Sequence, residues 1–393
     1  MRRFSRKLDN HCAWSGSYFF AFFAFFCGYF SANSWILTTG HGLRKNFVFP
    51  WRLCVFARDF SPMEVRTLGG TGLIVSRIGL GLAALGRPGY INLNHAQDLA
   101  RDYDFTAMER RAHEVLDAAW SAGIRYFDAA RSYGSAEQFL GSWLSSRAVR
   151  FESVTVGSKW GYTYTAGWQI QAPAHEIKEH SLLTLEKQWP ESIGFLNGYL
   201  KLYQIHSATA ESGVLENSDV LRRLARLKSD GISIGLTVSG SGQGETLRKA
   251  MELTIDGSRL FDSVQATWNL LEPSVGPALM EAHSAGLGVM IKEALANGRL
   301  TDRNQQPEFS PKLSILGTEA KKLNSSIDAL ALAACLKQPF VDVVLSGAAT
   351  TEQLLSNVQA PDLGISSDTL ARLAELAEPA KAYWITRSRL PWN

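Results

Sequence analysis

Four polar residues with complementary acid–base chemistry follow three apolar runs of the sequence: Asp128, Tyr133, Lys159 and His206. The runs span residues 124–127, 154–158 and 200–205. Each is short and rich in branched or aromatic side chains, which is typical of a buried parallel strand. Because the carboxyl ends of parallel strands meet at one edge of a sheet or one mouth of a barrel, we expect the four side chains to converge.

Together these side chains predict a general acid directed at a carbonyl oxygen. A phenol has an ordinary pKa of about 10, so Tyr133 alone is a weak proton donor at neutral pH. We expect the Lys159 ammonium to lower that pKa, and the Asp128 carboxylate to keep the lysine charged and in place. The His206 imidazole can hydrogen-bond the substrate oxygen and assist the proton transfer.

Each of the four residues also has a structural interpretation on its own. Asp128 could cap a helix, Tyr133 could anchor a loop, and a lysine at a strand end usually extends its ammonium toward solvent. His206 alone is as consistent with packing as with chemistry. The occurrence of all four in this order, at successive strand ends, favours a joint catalytic role.

The sequence lacks the motifs of several other reaction classes. It contains no residue cluster with metal-ligand spacing, no Gly-x-Ser-x-Gly elbow and no Cys/His pair for nucleophilic catalysis, so we predict no metal site. Reduction of a protonated carbonyl without a nucleophile or a metal requires a hydride, which points to a nicotinamide cofactor. An aldolase that forms a Schiff base through Lys159 is an alternative, although it leaves Asp128 and Tyr133 without roles.

Composition narrows the choice of partners and compartment. The 393 residues carry a net charge of +3 with the charges interspersed, so nothing indicates a nucleic-acid partner. Of the four cysteines only Cys335 lies beyond the first 62 residues, which leaves that part of the chain without a disulfide framework or a zinc ligand set. We therefore predict a reducing, cytoplasmic location.

Residues 1–62 differ from the rest of the chain. A basic start precedes an uncharged stretch whose centre, residues 18–30, is mostly aromatic. This form suits a secretory signal or an N-terminal anchor, although the dense apolar part is shorter than the roughly 20 residues that cross a bilayer. Domain-like sequence begins at Met63, so we interpret residues 1–62 as a leader or a non-native start outside the fold. A membrane partner is expected only if the 18–30 run is an anchor.

Strand and helix patterns alternate over residues 63–393, which we interpret as one barrel domain. A Gly-rich turn at residues 69–72 predicts an N-terminal β-hairpin, and a first barrel strand is predicted over 75–81. Eight strand-like runs, each followed by a helical pattern, predict an α/β fold that closes as a (β/α)8 TIM barrel, with a C-terminal extra helix at 368–376. No Gly-x-Gly-x-x-Gly follows an early strand, so a Rossmann half is not expected.

Among the connecting segments, residues 174–187 are predicted to form a helix. Three stretches, 87–106, 160–171 and 297–313, are predicted to be loops at the carboxyl ends of the strands. In a barrel of this kind such loops determine the substrate. Their mixed aromatic and charged composition does not identify it.

From about Met63 to Leu376 the chain resembles the aldo-keto reductase superfamily, in the branch similar to shaker-channel β-subunits and bacterial relatives. The match is carried by Gly123-x-Arg-x-Phe-Asp128-x-Ala-x-x-Tyr133-Gly with Glu137-x-x-Leu-Gly141, by Ser158-Lys159, by Tyr203-Gln-Ile-His206, by Gln265-x-x-Trp-Asn-Leu-Leu271, and by Ser346-Gly-Ala…Glu352-Gln-Leu…Asn357. The resemblance implies a barrel that binds NADPH, with NADH as the alternative, across its mouth without a Rossmann fold. It also implies reduction of aldehydes or ketones, or oxidation of the matching alcohol or sugar.

The resemblance further implies roles for individual residues. Tyr133 would be the proton donor, Lys159 and Asp128 the pair that lowers its pKa, and His206 the residue that orients the carbonyl. The cofactor-binding residues that it implies are Thr237, Ser239, Gln265, Trp268, Lys292, Gly347, Gln353 and Asn357. Gln265 would hold the nicotinamide carboxamide, and the last three would lie along the adenosine phosphate and the adenine.

The chain departs from the family pattern at three places that bear on the cofactor. Thr237-Val238-Ser239 stands after the fifth strand, where many relatives have Ser-Asn to hold the nicotinamide carboxamide. Lys292 and Glu293 stand where a tyrosine often stacks on the nicotinamide, so Trp268 is a candidate to contact the ring instead. Residues 347–353 contain no Lys or Arg, whereas a 2′-phosphate is usually held by a cation.

Two functions from different classes fit these observations. The leading prediction is an NAD(P)H-dependent oxidoreductase that acts on a small carbonyl compound or a sugar. The alternative is a cofactor-binding regulatory or sensor subunit that keeps the barrel but turns over slowly, which the shaker-type resemblance permits.

Overall fold

The apolar strands of the sequence assemble into a central parallel sheet in a computed structural model that describes residues 62–393. The strands are β1 (Val65–Thr67), β2 (Ile74–Ser76), β3 (Ile78–Gly81), β4 (Tyr126–Asp128), β5 (Thr155–Trp160), β6 (Tyr162–Tyr164), β7 (Glu176–Lys178), β8 (Leu200–Ala208), β9 (Ser233–Val238), β10 (Thr254–Ile255), β11 (Ser258–Arg259), β12 (Ser263–Thr267), β13 (Gly288–Lys292) and β14 (Val343–Ser346). The closed barrel consists of β3, β4, β5, β8, β9, β12, β13 and β14 in that circular order, which confirms the predicted TIM barrel.

Helices connect the barrel strands and cover their outer face. They are α1 (His95–Asp98), α2 (Phe105–Ser121), α3 (Ala136–Ser146), α4 (Leu182–Leu196), α5 (Ser218–Ser229), α6 (Gln243–Glu252), α7 (Gly276–Ser284), α8 (Ser310–Lys322), α9 (Ile327–Leu336), α10 (Thr351–Asn357), α11 (Ser367–Ala374) and α12 (Ala380–Ser388). Several begin at a side-chain cap, as α5 does where Asn217 accepts a hydrogen bond from the Val220 backbone at 3.2 Å. Within residues 62–393, no helix combines the length and apolarity that a bilayer crossing requires.

The N-terminal hairpin of β1 and β2, as predicted, is antiparallel, and it closes one end of the barrel. The Leu68 side chain is fully buried against Gly288, the first residue of β13, where an added Cβ would come within 2.4 Å of the Leu68 Cγ atom. This contact fills the end of the barrel at which the strands begin. The opposite end, where the strands finish, is the one left for a functional site.

The strand predicted over residues 75–81 is divided in the structure between β2 and β3. Arg77 separates the two, because its buried guanidinium donates to the carbonyl groups of Leu336 at 2.7 Å and Asp342 at 3.1 Å. These bonds fix the point at which the chain leaves the hairpin and enters the barrel.

The helix predicted over residues 174–187 is wrong in its first part. Glu176–Lys178 is strand β7, which pairs antiparallel with β6 so that Ile177 lies opposite Thr163. The helix α4 begins only at Leu182 and continues to Leu196. Its cap is Ser181, whose hydroxyl accepts a hydrogen bond from the Thr184 backbone N–H. The correction matters for function because it places two charged residues of β7 at the open end of the barrel.

The stretches predicted as loops contain regular structure. The segment 87–106 includes α1, the segment 160–171 includes β6, and α8 begins within the segment 297–313. The predicted C-terminal helix is confirmed as α11, and a second helix, α12, follows it without having been predicted. The expectations for residues 1–61, including the apolar run at 18–30, concern residues outside those that the structure describes.

Candidate active site

A buried ion pair lies at the open end of the barrel, between strands β4 and β5. The Lys159 ammonium donates to Asp128 Oδ2 and, at 2.8 Å, to the carbonyl of Ala129. The lysine is fully buried and the aspartate nearly so. The other carboxylate oxygen, Oδ1, accepts hydrogen bonds from Tyr126 at 3.1 Å, Gln204 at 3.3 Å and Gln265 at 3.2 Å. The pair is thus fully hydrogen-bonded, which a charge pair removed from water requires.

The phenol and the imidazole predicted from the sequence meet beside this pair. The Tyr133 hydroxyl lies 3.5 Å from His206 Nε2, and the two rings are nearly perpendicular with centroids 5.4 Å apart. The Lys159 ammonium lies 4.8 Å from the centroid of the Tyr133 ring. The structure therefore brings together all four residues that the sequence placed at successive strand ends.

The pKa of Tyr133 in the resting site is shifted in the direction opposite to the one expected. Burial, reinforced by the negative charge of Asp128, holds the pKa of Tyr133 well above 10. The Lys159 ammonium is bonded to Asp128, which balances much of its charge, so burial sets the direction of the shift in the resting site. Tyr133 is consequently a protonated hydroxyl at neutral pH.

His206 is held in a neutral state by its surroundings. Burial and the nearby positive charges of Lys159 and Lys292 keep the pKa of His206 well below 6.5. Its Nδ1 atom lies 3.4 Å from the Ser132 hydroxyl, and its backbone carbonyl lies 2.8 Å from His180 Nε2. These contacts fix the ring so that Nε2 faces the Tyr133 hydroxyl.

A cavity of about 700 Å³ opens over these residues and extends across the barrel mouth. Asp128, Tyr133 and His206 line one end, which we call the catalytic end. Gly347, Asn357 and their neighbours line the other end, which we call the distal end. The volume lies within the roughly 300–1,000 Å³ that is usual for small-molecule sites.

Three of the residues implied for the nicotinamide lie at or beneath the catalytic end. Gln265 lines the cavity, but its amide donates to Asp128. Ser239 also lines the cavity, with its hydroxyl 3.2 Å from that of Ser207. Thr237 lies beneath the surface, where its hydroxyl accepts a hydrogen bond from the Ser207 backbone at 2.7 Å.

Trp268 does not line the cavity. Its indole is nearly buried and packs edge-on against Phe340, with ring centroids 6.2 Å apart. The indole nitrogen would come within 3.4 Å of a Cβ added at Gly276, at the start of α7. The side chain therefore belongs to the packing between barrel and helices, and the structure places it away from the site.

Lys292 occupies the cavity wall with its ammonium anchored. The Nζ atom donates to Thr267 Oγ1 at 2.8 Å and to Ser239 Oγ at 3.1 Å. Burial lowers the pKa of Lys292 to about 8. The adjacent Glu293 is paired with Arg387 of α12, and although burial acts to raise the pKa of Glu293, Arg387 and Lys292 hold it at about 2. Charged groups thus stand where the family resemblance implied an aromatic ring.

The residues implied for the adenosine all lie at the distal end. Asn357 donates from its amide nitrogen to the Ser346 hydroxyl at 2.9 Å, while its amide oxygen is buried without a partner. Gln353 accepts a hydrogen bond from the Ala349 backbone at 2.8 Å. Gly347 lines the cavity, with no atom within 4 Å of where its Cβ would be.

Two further residues at the catalytic end, Arg87 and Trp392, were not predicted as site residues from the sequence. Arg87 is almost completely buried and donates to the Ser132 carbonyl at 2.8 Å and to Glu176 of β7 at 2.9 Å. The Trp392 ring lies 4.8 Å from the Arg87 guanidinium and stacks on His175 with centroids 3.9 Å apart. Arg87 belonged to a predicted loop, but no sequence pattern marked Trp392.

Comparisons with known proteins add to this geometry. The family model described as "Aldo/keto reductase family" matches residues 77–378. An L-galactose dehydrogenase of Arabidopsis thaliana is 26% identical over 334 residues, which cover 81% of this chain and 96% of that protein. The L-glyceraldehyde 3-phosphate reductase of Escherichia coli K12 is 25% identical over 346 residues, covering 80% and 92%. The holo form of an aldo-keto reductase from Bacillus halodurans matches the fold with a TM-score of 0.62 at 22% identity, covering 80% of this chain and 97% of that one.

Proposed function

The chain belongs to the aldo/keto reductase family, and from this membership we propose that it is an NAD(P)H-dependent oxidoreductase in which Tyr133 acts as general acid. It reduces the carbonyl group of an aldehyde or ketone, or oxidises the matching alcohol. The observation that carries the proposal is the position of the Tyr133 hydroxyl, 3.5 Å from His206 Nε2 at the wall of a cavity that is backed by the Lys159–Asp128 pair.

The resting protonation states support a proton-donating role. The raised pKa of Tyr133 keeps its hydroxyl protonated, and the lowered pKa of His206 keeps the imidazole neutral and able to hydrogen-bond a carbonyl oxygen. A reduced nicotinamide, when bound, supplies the hydride. As negative charge develops on the carbonyl oxygen, that oxygen becomes basic enough to take the proton of Tyr133.

In this proposal Lys159 stabilises the Tyr133 phenolate that proton transfer leaves behind. Once Tyr133 has given up its proton, a phenolate faces the Lys159 ammonium, whose nitrogen lies 4.8 Å from the ring centroid in the resting site. In a site shielded from water that attraction stabilises the phenolate and the transition state that leads to it. Asp128 holds the ammonium in position through its direct hydrogen bond.

The residues of the cavity fit a nicotinamide dinucleotide. Two buried carboxamide oxygens in its wall, those of Asn297 and Asn357, have no hydrogen-bond partner in the described part of the chain, so each can accept a bond from a ligand. The Lys292 ammonium lines the cavity and has the charge that a pyrophosphate attracts. Gln265 can turn its amide from Asp128 to a nicotinamide carboxamide without leaving the wall.

The lining of the catalytic end supports a small hydroxylated substrate. Charged and hydroxyl groups of Arg87, Glu176, Lys178 and Thr209 surround the space next to Tyr133. Such groups hydrogen-bond the hydroxyls of a sugar, whereas they would leave an alkyl chain poorly accommodated. Two relatives are named for L-galactose and for L-glyceraldehyde 3-phosphate, and we propose the same broad class, a sugar or sugar-like carbonyl compound, for this chain.

A direct test is oxidation of NADH and NADPH by the full-length protein over a panel of aldoses, other hydroxyaldehydes and aliphatic aldehydes. We expect turnover well above that of the Tyr133→Phe variant, and higher with hydroxylated substrates. Nucleotide binding without turnover on any substrate would instead assign the chain to the cofactor-sensing class. Trapping of the substrate by borohydride on Lys159 would contradict the hydride mechanism altogether.

A further inference from the structure

The distal end of the cavity is acidic. Three carboxylates line it, those of Asp302, Asp328 and Glu352, and residues 347–353 contribute no Lys or Arg. The same end contains the buried amide oxygen of Asn357, a residue only 2% exposed, which has no hydrogen-bond partner among residues 62–393. An unpartnered buried acceptor in a cavity wall indicates that a ligand donor is bound there.

Among the described residues, Arg303 is the cation that lines the distal end. Its guanidinium is already paired with the Asp98 carboxylate. It donates a hydrogen bond to Asp98 Oδ2 at 2.8 Å, and its other terminal nitrogen lies 2.7 Å from Oδ1 of the same carboxylate. The Asp98 side chain is 4% exposed, so moving the arginine to a ligand would leave a buried carboxylate unpaired. The hydrogen bond to Asp98 and the charges of Asp302 and Asp328 together raise the pKa of Arg303, so the arginine is surrounded by carboxylates.

The two ends of the cavity determine how a dinucleotide is oriented. If the proposed function holds, the reacting ring lies at the catalytic end beside Tyr133 and His206, and the adenosine extends to the distal end. NADP(H) differs from NAD(H) by a phosphate on the adenosine ribose, which adds negative charge there. NAD(H) carries a hydroxyl at the same position, and a hydroxyl can donate to a carboxylate.

From this arrangement, and resting on the proposed function, we infer that the site prefers NAD(H) to NADP(H). Asp328 and Glu352 are the residues that discriminate, because their charges repel a 2′-phosphate and the one nearby arginine is held by Asp98. This departs from the NADPH that the family resemblance implied. Because Glu352 is exposed, salt should screen part of the effect.

The test is titration of the full-length protein with NADH and with NADPH, followed by nicotinamide fluorescence to obtain the two Kd values without turnover. We expect NADH to bind at least tenfold more tightly at low ionic strength, and the ratio to shrink as salt is raised. The double variant D328N/E352Q should bind NADPH more tightly and leave the Kd for NADH nearly unchanged. Glu252→Gln, which removes an exposed carboxylate that does not line the cavity, is the matched control and should leave both values unchanged.

The outcomes separate this inference from the proposed function. Equal or tighter binding of NADPH by the unmodified protein would overturn the preference and leave the reductase proposal intact. An equal change in both Kd values in D328N/E352Q would overturn the discriminating role of the two carboxylates. Failure to bind either nucleotide would overturn both the inference and the proposed function.

Discussion

The Lys159–Asp128 pair couples the stability of the barrel to its chemistry. Both side chains are withdrawn from water, and each satisfies hydrogen-bonding groups of the other. Such a pair adds little net stability compared with apolar packing, but loss of one member leaves an uncompensated buried charge.

Lys159→Met should accordingly destabilise the protein. We expect the free energy of unfolding to fall by about 3–5 kcal/mol, because Asp128 would remain buried without its cation. Equilibrium denaturation in urea would measure the loss. The double variant D128N/K159M, which removes both charges, should recover much of the stability while remaining inactive. A single variant as stable as the parent would show that the pair is solvated in solution.

Buried neutral histidines predict how stability depends on pH. Burial lowers the pKa of His95 to about 4, and the side chain is fully buried. The pKa of His95 in the unfolded chain is about 6.5, so between pH 6.5 and pH 4 the imidazole is protonated in the unfolded chain and neutral in the folded one. The stabilising contribution is thus complete above pH 6.5 and is lost as the pH falls toward 4.

We expect the free energy of unfolding to decrease between pH 7 and pH 4.5, and to decrease less in the His95→Gln variant, which cannot titrate at that position. Denaturation curves at a series of pH values would provide the comparison. His180, whose pKa burial also lowers to about 4, titrates equally in both proteins and cancels from the difference. If the free energy of unfolding fell equally with pH in the two proteins, His95 would not be a source of the pH dependence.

The segment that follows α12 completes the wall of the catalytic end. Asn393 exchanges two backbone hydrogen bonds with Tyr90, each of 3.1 Å, which fixes Trp392 over Arg87. The aromatic stack and the cation–π contact hold the guanidinium where a substrate would meet it. The connection after β3 and the C-terminal segment therefore depend on one another for their positions.

Trp392→Ala should raise KM for the substrate several-fold and leave kcat nearly unchanged, because the residue shapes the pocket without touching the transferred proton. Loss of the cation–π contact should lower the free energy of unfolding by no more than about 1 kcal/mol. Steady-state kinetics and urea denaturation measure the two effects. Trp392→Phe, which keeps an aromatic ring, is the control and should behave like the parent. A fall in kcat with KM unchanged would contradict this role.

The convergence of the four polar residues at the barrel mouth could be predicted because it depends on the order of residues within each short run of sequence. Each apolar run ends in its polar residue, and parallel strands bring such ends together whatever the helices between them do. The partners of Arg87 could not be predicted, because Glu176 lies 89 positions away and the two meet only once β7 pairs with β6. The segment Glu176–Lys178 also lacks a pattern that separates a short strand from the start of a helix.

The direction of the pKa shift at Tyr133 in the resting site could not be predicted for a related reason. Proximity of a lysine suggests a lowered pKa, but the outcome depends on whether that lysine is already neutralised and on how deeply the phenol lies. The partner of the lysine and the burial of the phenol both depend on packing across several strands, which the sequence does not specify. The closed barrel itself was predictable because eight repeats of strand and helix leave few other architectures.

At the scale of the whole molecule, every strand of the closed barrel lies within residues 62–393. The hairpin of β1 and β2 closes the barrel from inside the described residues, through Leu68 and Gly288. A protein that begins at Met63 should therefore keep its thermal unfolding temperature within a few degrees and its turnover within about twofold. Circular dichroism and nucleotide oxidation would measure these quantities. Aggregation of the shortened protein would mean that the extension contributes to the fold.

The central claim, that Tyr133 delivers the proton and contributes little to the affinity for the cofactor, is tested most directly by measuring hydride transfer in Tyr133→Phe. Stopped-flow oxidation of bound NADH in a single turnover gives the rate, and fluorescence titration of the same protein gives the Kd. The account predicts a loss of 10²-fold or more in the rate, which is typical for removal of a general acid, with the Kd unchanged. A rate that survives the substitution, or a Kd that weakens in proportion to the rate, would contradict it.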